Sequence, residues 1–273
     1  MMVREIVGRI RIALFLTAIV PVTLFLIPPQ WVMMKFRLRA ASWLPLIYHR
    51  FVSQMMGLRV RIHGAPLVSG PRLFLSNHVS WLDIVALGSV LPLSFVARAD
   101  VASWPIFGLF AKLQQTVFVD RTRKMATKAA VMSVAERFGR GEAILLFAEG
   151  TTSDGNRVLD FRSALLGALS TEAVADQVRV QPVALLYRNR AGMPLRRFDG
   201  PEIAWYGDMD LLPHFAGILT GAPIVIDIWF GDPFHADQMT DRKVLALTAR
   251  DQIRAARTLL ARGRDMPSSW PVT

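Results

Sequence analysis

One short segment carries a residue pair that suits proton transfer. It reads Ser-Asn-His-Val-Ser-Trp-Leu-Asp from Ser76 to Asp83, where an apolar strand runs into a polar loop that opens a helix. Histidine readily takes a proton near neutral pH, and a neighbouring carboxylate can orient the imidazole and stabilise the imidazolium. His78 and Asp83 therefore predict activation of a substrate hydroxyl, with no enzyme serine required. Taken alone, the segment fits a surface histidine and an ordinary helical aspartate equally well.

Three other segments carry side chains suited to binding. Phe147–Gly155 is an apolar strand that ends in Glu149, followed by two glycines and small polar residues. Such a loop can present backbone N–H groups to an anion or a developing oxyanion, although a plain turn is the alternative. Arg121 closes the strand that starts at Phe118 and can bind a phosphate or carboxylate, or form a surface ion pair. The segment Val180–Val183 has a proline near its start and indicates little by itself.

Short apolar runs alternate with helical patterns and place these segments at strand ends. We predict an α/β fold with a mixed, largely buried sheet flanked by helices. The predicted strands cover 59–63, 72–76, 94–98, 116–120, 143–147, 178–187 and 224–230, and the predicted helices cover 81–91, 124–138 and 240–261.

A long uncharged run marks the N-terminal segment. No residue from Ile12 to Met34 is charged, and at about 1.5 Å per residue such a run can cross a hydrocarbon core of about 30 Å. Pro21 and the pair Pro28-Pro29 predict breaks in it. Two arrangements stay open, a kinked single span and a helix that enters the cytoplasmic leaflet and turns back, and we favour the second. Residues 36–56 predict an amphipathic helix at the interface.

The charge distribution argues for a membrane partner and against nucleic acid. The net charge is +11, but residues 1–65 carry nine basic groups and one acid, while the rest carry 23 basic and 20 acidic groups. Basic residues that flank an apolar run are typical of proteins at an anionic membrane surface. The chain has no cysteine, which excludes disulfides, a thiol nucleophile and cysteine-ligated zinc.

Taken together and in this order, the four segments resemble the glycerolipid acyltransferase family, which includes 1-acylglycerol-3-phosphate acyltransferases. The first family block, Asn-His-x-Ser-x-x-Asp, is matched in full from Asn77 to Asp83. The second matches Phe118, Val119 and Arg121, and the fourth matches around Pro182. The third, Phe-Pro-Glu-Gly-Thr-Arg-Ser, matches at Phe147, Glu149, Gly150, Thr151 and Ser153.

The resemblance implies a mechanism and a set of partners. His78 would act as general base on the acceptor hydroxyl, and Asp83 would orient it. The hydroxyl would attack an acyl thioester of coenzyme A or acyl carrier protein, and no metal or bound cofactor would be needed. The residues that would bind substrate are Asn77, Ser80, Arg121, Glu149, Gly150, Thr151 and Thr152. Residues 1–56 would form the anchor and interfacial helix, 57–264 the catalytic domain and 265–273 a tail.

The third block departs from the family pattern at two positions. Ala148 replaces a proline, and Thr152 replaces an arginine that the family associates with the acceptor's phosphate. A guanidinium is the natural partner of a phosphomonoester, whereas threonine offers one weak hydroxyl. Arg157 or Arg162 could take its place. The loop and residues 204–209 look like a bacterial branch that acylates lyso-ornithine lipid, so we expect that acceptor at the cytoplasmic face of a bacterial inner membrane, with 1-acylglycerol-3-phosphate as the alternative.

Two other classes explain less of the sequence. A thioesterase or lipase needs an enzyme serine, and the chain has no Gly-x-Ser-x-Gly elbow. A non-enzymatic lipid-binding protein would account for the anchor and the basic charge, but it gives no reason for His78, Asp83 and Glu149 to occur together. The arginines at 188, 190, 196 and 197 are a candidate patch for an acidic carrier protein or a head group, or a solvated loop.

Overall fold

The computed structural model describes residues 2–120, 124–163, 166, 178–196, 198–235 and 241–267. Nine strands form one sheet in this part of the chain. The strands are β1 (Leu58–His63), β2 (Arg72–Ser76), β3 (Ser94–Arg98), β4 (Val117–Val119), β5 (Ala143–Phe147), β6 (Arg179–Arg190), β7 (Met193–Pro194), β8 (Ile224–Phe230) and β9 (Phe234–His235). The helices are α1 (Met2–Lys35), α2 (Ala40–Met56), α3 (Leu82–Gly88), α4 (Phe107–Leu113), α5 (Lys124–Gly139), α6 (Leu211–Thr220) and α7 (Arg242–Ala261).

The sheet is mixed, with the strand order β1-β8-β6-β2-β5-β3-β4. Strands β6, β2, β5, β3 and β4 run parallel to one another, and β1 runs parallel to β8. The two groups meet in the antiparallel pair β6–β8, while β7 and β9 add short antiparallel pairs to β6. The carboxyl ends of β2 and β5 therefore lie side by side at one edge of the sheet.

Helices cover both faces of the sheet because the central strands bury side chains on both sides. Every residue of β2, β5 and β8 is buried. Alternate residues belong to different clusters: Phe74 and Leu145 pack with α2, α3 and α6, whereas Leu75 and Ile144 pack with α5 and α7. The predicted fold class, a mixed buried sheet between helices, is confirmed.

The N-terminal helix runs without interruption through its three prolines. Helix α1 contains Pro21, Pro28 and Pro29 and ends only at Lys35, so the predicted breaks are wrong. A proline removes one backbone hydrogen bond and strains the turn before it, but contacts along the helix hold it in place. The segment Ile6–Lys35 is long and apolar enough to cross a membrane.

Helix α1 is fixed to the rest of the protein along much of its length. Phe15 packs edge-on against Phe215 of α6 with ring centroids 6.0 Å apart. Thr23 Oγ1 lies 2.8 Å from Tyr48 Oη of α2. Near the end of the helix, buried Gln30 donates through Nε2 to the carbonyls of Ala41 at 2.8 Å and Leu113 at 2.7 Å. The chain turns back after Lys35, so α1 and α2 form a helical hairpin against the sheet domain.

Candidate active site

The two most informative sequence segments meet at one edge of the sheet. Strand β2 ends at Ser76 and β5 at Phe147, and these residues are partners in the parallel register. The segments that follow are tied together by backbone bonds, in which Ala148 N donates to Ser76 O at 3.1 Å and Ser153 N to His78 O at 2.9 Å. Binding sites of parallel sheets commonly form beyond the carboxyl ends of neighbouring strands.

The predicted catalytic pair is in direct contact. His78 Nδ1 lies 2.8 Å from Asp83 Oδ2. The same oxygen accepts hydrogen bonds from the backbone N–H groups of Val79 at 2.7 Å and Ser80 at 3.0 Å. Because two backbone N–H groups already donate to Asp83 Oδ2, this oxygen is an acceptor, and His78 Nδ1 donates the third hydrogen bond to it. The lone pair on Nε2 is then available to a substrate.

The imidazole is held in one plane against the end of β5. The His78 ring stacks on Phe147 with a centroid separation of 3.8 Å and an interplanar angle of 9°. The His78 side chain is 17% exposed, whereas that of Asp83 is 0% exposed. The pair therefore has the burial that its roles require, with the acid inside the protein and the base within reach of solvent.

Two residues of the site were missed by sequence reasoning. Tyr187 of β6 donates its hydroxyl to Asp83 Oδ1 at 2.6 Å. Arg257 of α7 is buried and donates to the backbone carbonyl of Gly155 in the loop after β5. Each contact joins residues more than 100 positions apart, and no local motif marks either residue. Only the strand register and the helix orientation reveal them.

Glu149 is a buried carboxyl close to the catalytic pair. It is 2% exposed. Burial raises the pKa of Glu149 to about 8, although the nearby Arg257 guanidinium favours the charged form. The raised pKa favours the neutral form of this carboxyl near neutral pH.

The other predicted binding residues fall into three groups. Asn77 and Ser80 are buried, and the Asn77 side chain bonds both backbone groups of Leu185, at 3.2 and 2.8 Å. They hold the loop, and their predicted contact with substrate stays a prediction. Around Gly150, whose φ of +74° suits glycine, Thr151 is exposed and Thr152 partly exposed. Arg121 lies outside the described residues.

The loop after β5 uses several of its N–H groups internally. The bonds run from Gly150 N to Phe147 O, from Ser153 N to His78 O, and from Gly155 N to Ser153 Oγ. These three N–H groups already donate to protein acceptors, so they cannot also stabilise an oxyanion. The oxyanion role expected of the loop then falls to its other backbone N–H groups, such as those of Thr151 and Thr152. Arg157 and Arg162 are both exposed on the same segment.

The candidate basic patch is largely neutralised by pairing. Arg188 contacts Asp227 at 3.1 Å, Arg190 contacts Glu202 at 2.7 Å, and Arg196 contacts Asp199 at 3.2 Å, while residue 197 lies outside the described residues. Paired arginines attract an acidic carrier protein less than free ones. Among the described residues, no three His, Asp or Glu side chains are grouped to hold a metal ion. The need for no cofactor stays a prediction.

Comparison with known proteins identifies the family. A family model described as Acyltransferase matches residues 59–186, which include β2 to β5 and the segment with His78 and Asp83. The lyso-ornithine lipid O-acyltransferase of Brucella abortus is 43% identical over 96% of this chain and 100% of its own length. The chain belongs to the acyltransferase family. The predicted family and enzyme class are confirmed.

Other relatives are named after one of two acceptor lipids. The lyso-ornithine lipid O-acyltransferase of Rhizobium meliloti is 41% identical to this acyltransferase over 94% of the chain and 89% of its own length. The 1-acyl-sn-glycerol-3-phosphate acyltransferase of Neisseria gonorrhoeae is 32% identical over 73% of the chain and 74% of its own. The crystal structure of the 1-acyl-sn-glycerophosphate acyltransferase of Thermotoga maritima shares the fold, with a TM-score of 0.62 at 16% identity, and the match covers 97% and 99% of the two chains.

Proposed function

We propose that this acyltransferase moves an acyl chain from a thioester of acyl carrier protein or coenzyme A to the hydroxyl of lyso-ornithine lipid, which gives ornithine lipid. The observation that carries the reaction is the contact between His78 Nδ1 and the buried Asp83 carboxylate. It fixes the imidazole tautomer and leaves Nε2 as the base.

The chemistry needs one proton transfer in each direction. His78 Nε2 takes the proton of the acceptor hydroxyl as its oxygen attacks the thioester carbonyl, and Asp83 stabilises the imidazolium that forms. The carbon–sulfur bond then breaks, and His78 returns the proton to the leaving thiolate. The new ester stays in the lipid and the free thiol leaves with its carrier, so the base is restored after each turnover.

Two observations support a zwitterionic acceptor. Thr152 stands where the family pattern has a phosphate-binding arginine. The relatives at 43% and 41% identity both carry the lyso-ornithine lipid name. The Neisseria relative at 32% identity keeps 1-acylglycerol-3-phosphate as the second candidate acceptor.

The α1–α2 hairpin is the proposed membrane attachment, at the cytoplasmic face of a bacterial inner membrane. Its outer surface is apolar: Phe25 is 78%, Trp31 58% and Trp43 55% exposed. Arg37 and Arg39 are exposed beside the turn between the helices, where they can meet anionic head groups. A lipid substrate in that membrane would lie at the same surface as the enzyme.

An acceptor assay with purified protein tests the proposal. Lyso-ornithine lipid and 1-acylglycerol-3-phosphate are each supplied with labelled acyl carrier protein thioester and, separately, with acyl-coenzyme A. We expect ornithine lipid as the main product, with none from His78→Ala. Thr152→Arg should raise the relative use of the phosphate-bearing acceptor. Exclusive use of 1-acylglycerol-3-phosphate by the unaltered enzyme would refute the proposed acceptor.

A further inference from the structure

Asp83 is bonded through both of its oxygens. Oδ2 accepts His78 Nδ1 and the N–H groups of Val79 and Ser80. Oδ1 accepts the hydroxyl of Tyr187 at 2.6 Å, the length of a strong hydrogen bond from a hydroxyl to a charged oxygen. The three donors to Oδ2 lie on one side of the carboxylate, and the Tyr187 hydroxyl donates to the other oxygen, Oδ1.

The sheet places Tyr187 over the catalytic loop. In the register of β2 and β6, Ser76 lies opposite Val183, so β6 continues past the end of β2. Asn77 extends the pairing by bonding the backbone of Leu185 with its side chain. Tyr187 is the next residue on that face, and its ring packs against the core cluster there.

A backbone irregularity coincides with the tyrosine. The register of β6 against β8 shifts between Tyr187 and Asn189, so Arg188 is an extra residue in the strand. Bulges of this kind change the direction of neighbouring side chains and often occur beside active sites. The extra residue, Arg188, lies on the opposite face of the sheet from Tyr187 and pairs with Asp227. At this irregularity, neighbouring residues serve different contacts: Tyr187 bonds Asp83 in the active site, and Arg188 bonds Asp227 on the other face.

We propose that Tyr187 is a positioning residue for acyl transfer, and that its hydroxyl bond to Oδ1 holds the Asp83 carboxylate in line with His78 Nδ1. A buried carboxylate with too few donors gains proton affinity. Such a carboxylate holds the His78 imidazolium more tightly, so the free base forms only at higher pH and the return of the proton to the leaving thiolate is slower. Burial and the charge of Asp83 raise the pKa of the Tyr187 hydroxyl, so the hydroxyl remains a donor.

In the described part of the chain, three other ionisable groups interact with Asp83. They are His78 in the same loop, Glu149 after β5 and Arg257 of α7, which interacts electrostatically with both carboxyls. Replacing Tyr187 by phenylalanine removes one oxygen and leaves these groups in place. The Tyr187 hydroxyl also interacts with the Ser80 side chain, and this contact is lost in the same variant. Because Ser80 is not ionisable, a shift in pH dependence is assigned to the loss of the Tyr187–Asp83 bond.

The test compares Tyr187→Phe with Tyr48→Phe. Tyr48 is a matched control because its hydroxyl also makes one side-chain bond, 2.8 Å from Thr23 Oγ1, outside the site. We expect Tyr187→Phe to lower kcat/KM about 10- to 100-fold, the loss of one hydrogen bond to a charged group, with the acceptor KM little changed. The acidic limb of the kcat/KM profile should move to higher pH because the pair binds its proton more tightly. Tyr48→Phe should leave that limb in place.

This inference rests on the proposed function, and the two fail differently. If His78→Ala keeps its activity, the proposed function is wrong. If His78→Ala is inactive but the acidic limb of Tyr187→Phe matches that of the unaltered enzyme, the positioning role is wrong, whatever the rate. Should Tyr187→Phe fold poorly, 3,5-difluorotyrosine at position 187 replaces it. This more acidic donor should move the limb to lower pH, and an unchanged limb would overturn the proposal.

Discussion

Replacing Asp83 by asparagine tests the catalytic pair with little change of shape. The amide oxygen of asparagine can still accept from the backbone N–H groups of Val79 and Ser80, which now bond Asp83 Oδ2 at 2.7 and 3.0 Å. The negative charge beside His78 is lost, and the amide nitrogen takes the place of Oδ1, so the Tyr187 hydroxyl must accept a hydrogen bond there where it now donates one. The loop should therefore keep its conformation while the imidazolium loses its stabilising partner.

The contact distance sets the size of the effect. With Nδ1 and Oδ2 2.8 Å apart, the centres of charge lie about 4 Å apart, which at an effective dielectric constant of about 20 gives about 4 kcal/mol. At 1.36 kcal/mol per factor of ten, this corresponds to a loss of about 10³-fold in kcat. The equivalent change in hydrolase triads costs about 10⁴-fold in kcat.

The assay measures initial rates of labelled acyl transfer to lyso-ornithine lipid, with thermal unfolding recorded for each variant. A second His–Asp pair supplies the control, since His63 Nε2 lies 3.2 Å from Asp227 Oδ1 and the Asp227 side chain is 1% exposed, although that of His63 is 37% exposed. Asp227→Asn should lower stability more than it lowers kcat. A kcat for Asp83→Asn within tenfold of the unaltered enzyme, or an equal loss in Asp227→Asn, would refute the reasoning.

Two further predictions concern the acid and the arginine beside the pair. Burial raises the pKa of Glu149 from 4.5 to about 8, so its ionisation favours the unfolded chain as pH rises between these values. Glu149→Gln should therefore match the unaltered protein in unfolding temperature near pH 4.5 and exceed it above pH 8, and equal melting curves at pH 8 would contradict this. Arg257→Met should lower kcat/KM at least tenfold because the Gly155 carbonyl and the carboxyls lose a buried cation, a change of about 1.4 kcal/mol or more. The exposed Arg254 of the same helix provides the control Arg254→Met, and equal rates in both variants would contradict a role for Arg257.

Local patterns were enough to predict the elements that carry the first site residues. Strands β2 and β5 lie at the predicted 72–76 and 143–147, because short buried apolar runs ended by polar residues leave little choice of structure. Because the ends of these apolar runs can be read from the sequence, His78 and Glu149 could be predicted to lie just after strand ends. The contact between His78 and Asp83 followed from a separation of five residues across a helix start.

Long-range contacts could not be predicted in this way. Tyr187 reaches Asp83 only because β6 pairs with β2 in a particular register, and a one-residue shift would turn it to the other face. Arg257 reaches the loop through the packing of α7. The sequence predicts breaks at the prolines of α1, but the helix stays continuous because it is held by distant partners, among them Phe215 and Leu113.

The order of synthesis gives the contacts of α1 a consequence for how the protein folds. Arg11 donates to the carbonyl of Thr220, a residue 209 positions further along the chain. At about 5 to 20 residues per second, α1 leaves the ribosome roughly 10 to 40 s before its partner helix exists. If the proposed membrane attachment forms during synthesis, the bilayer surface covers the apolar side of α1 during that interval. The membrane would then act first as a chaperone for this enzyme and only later as the source of its substrate.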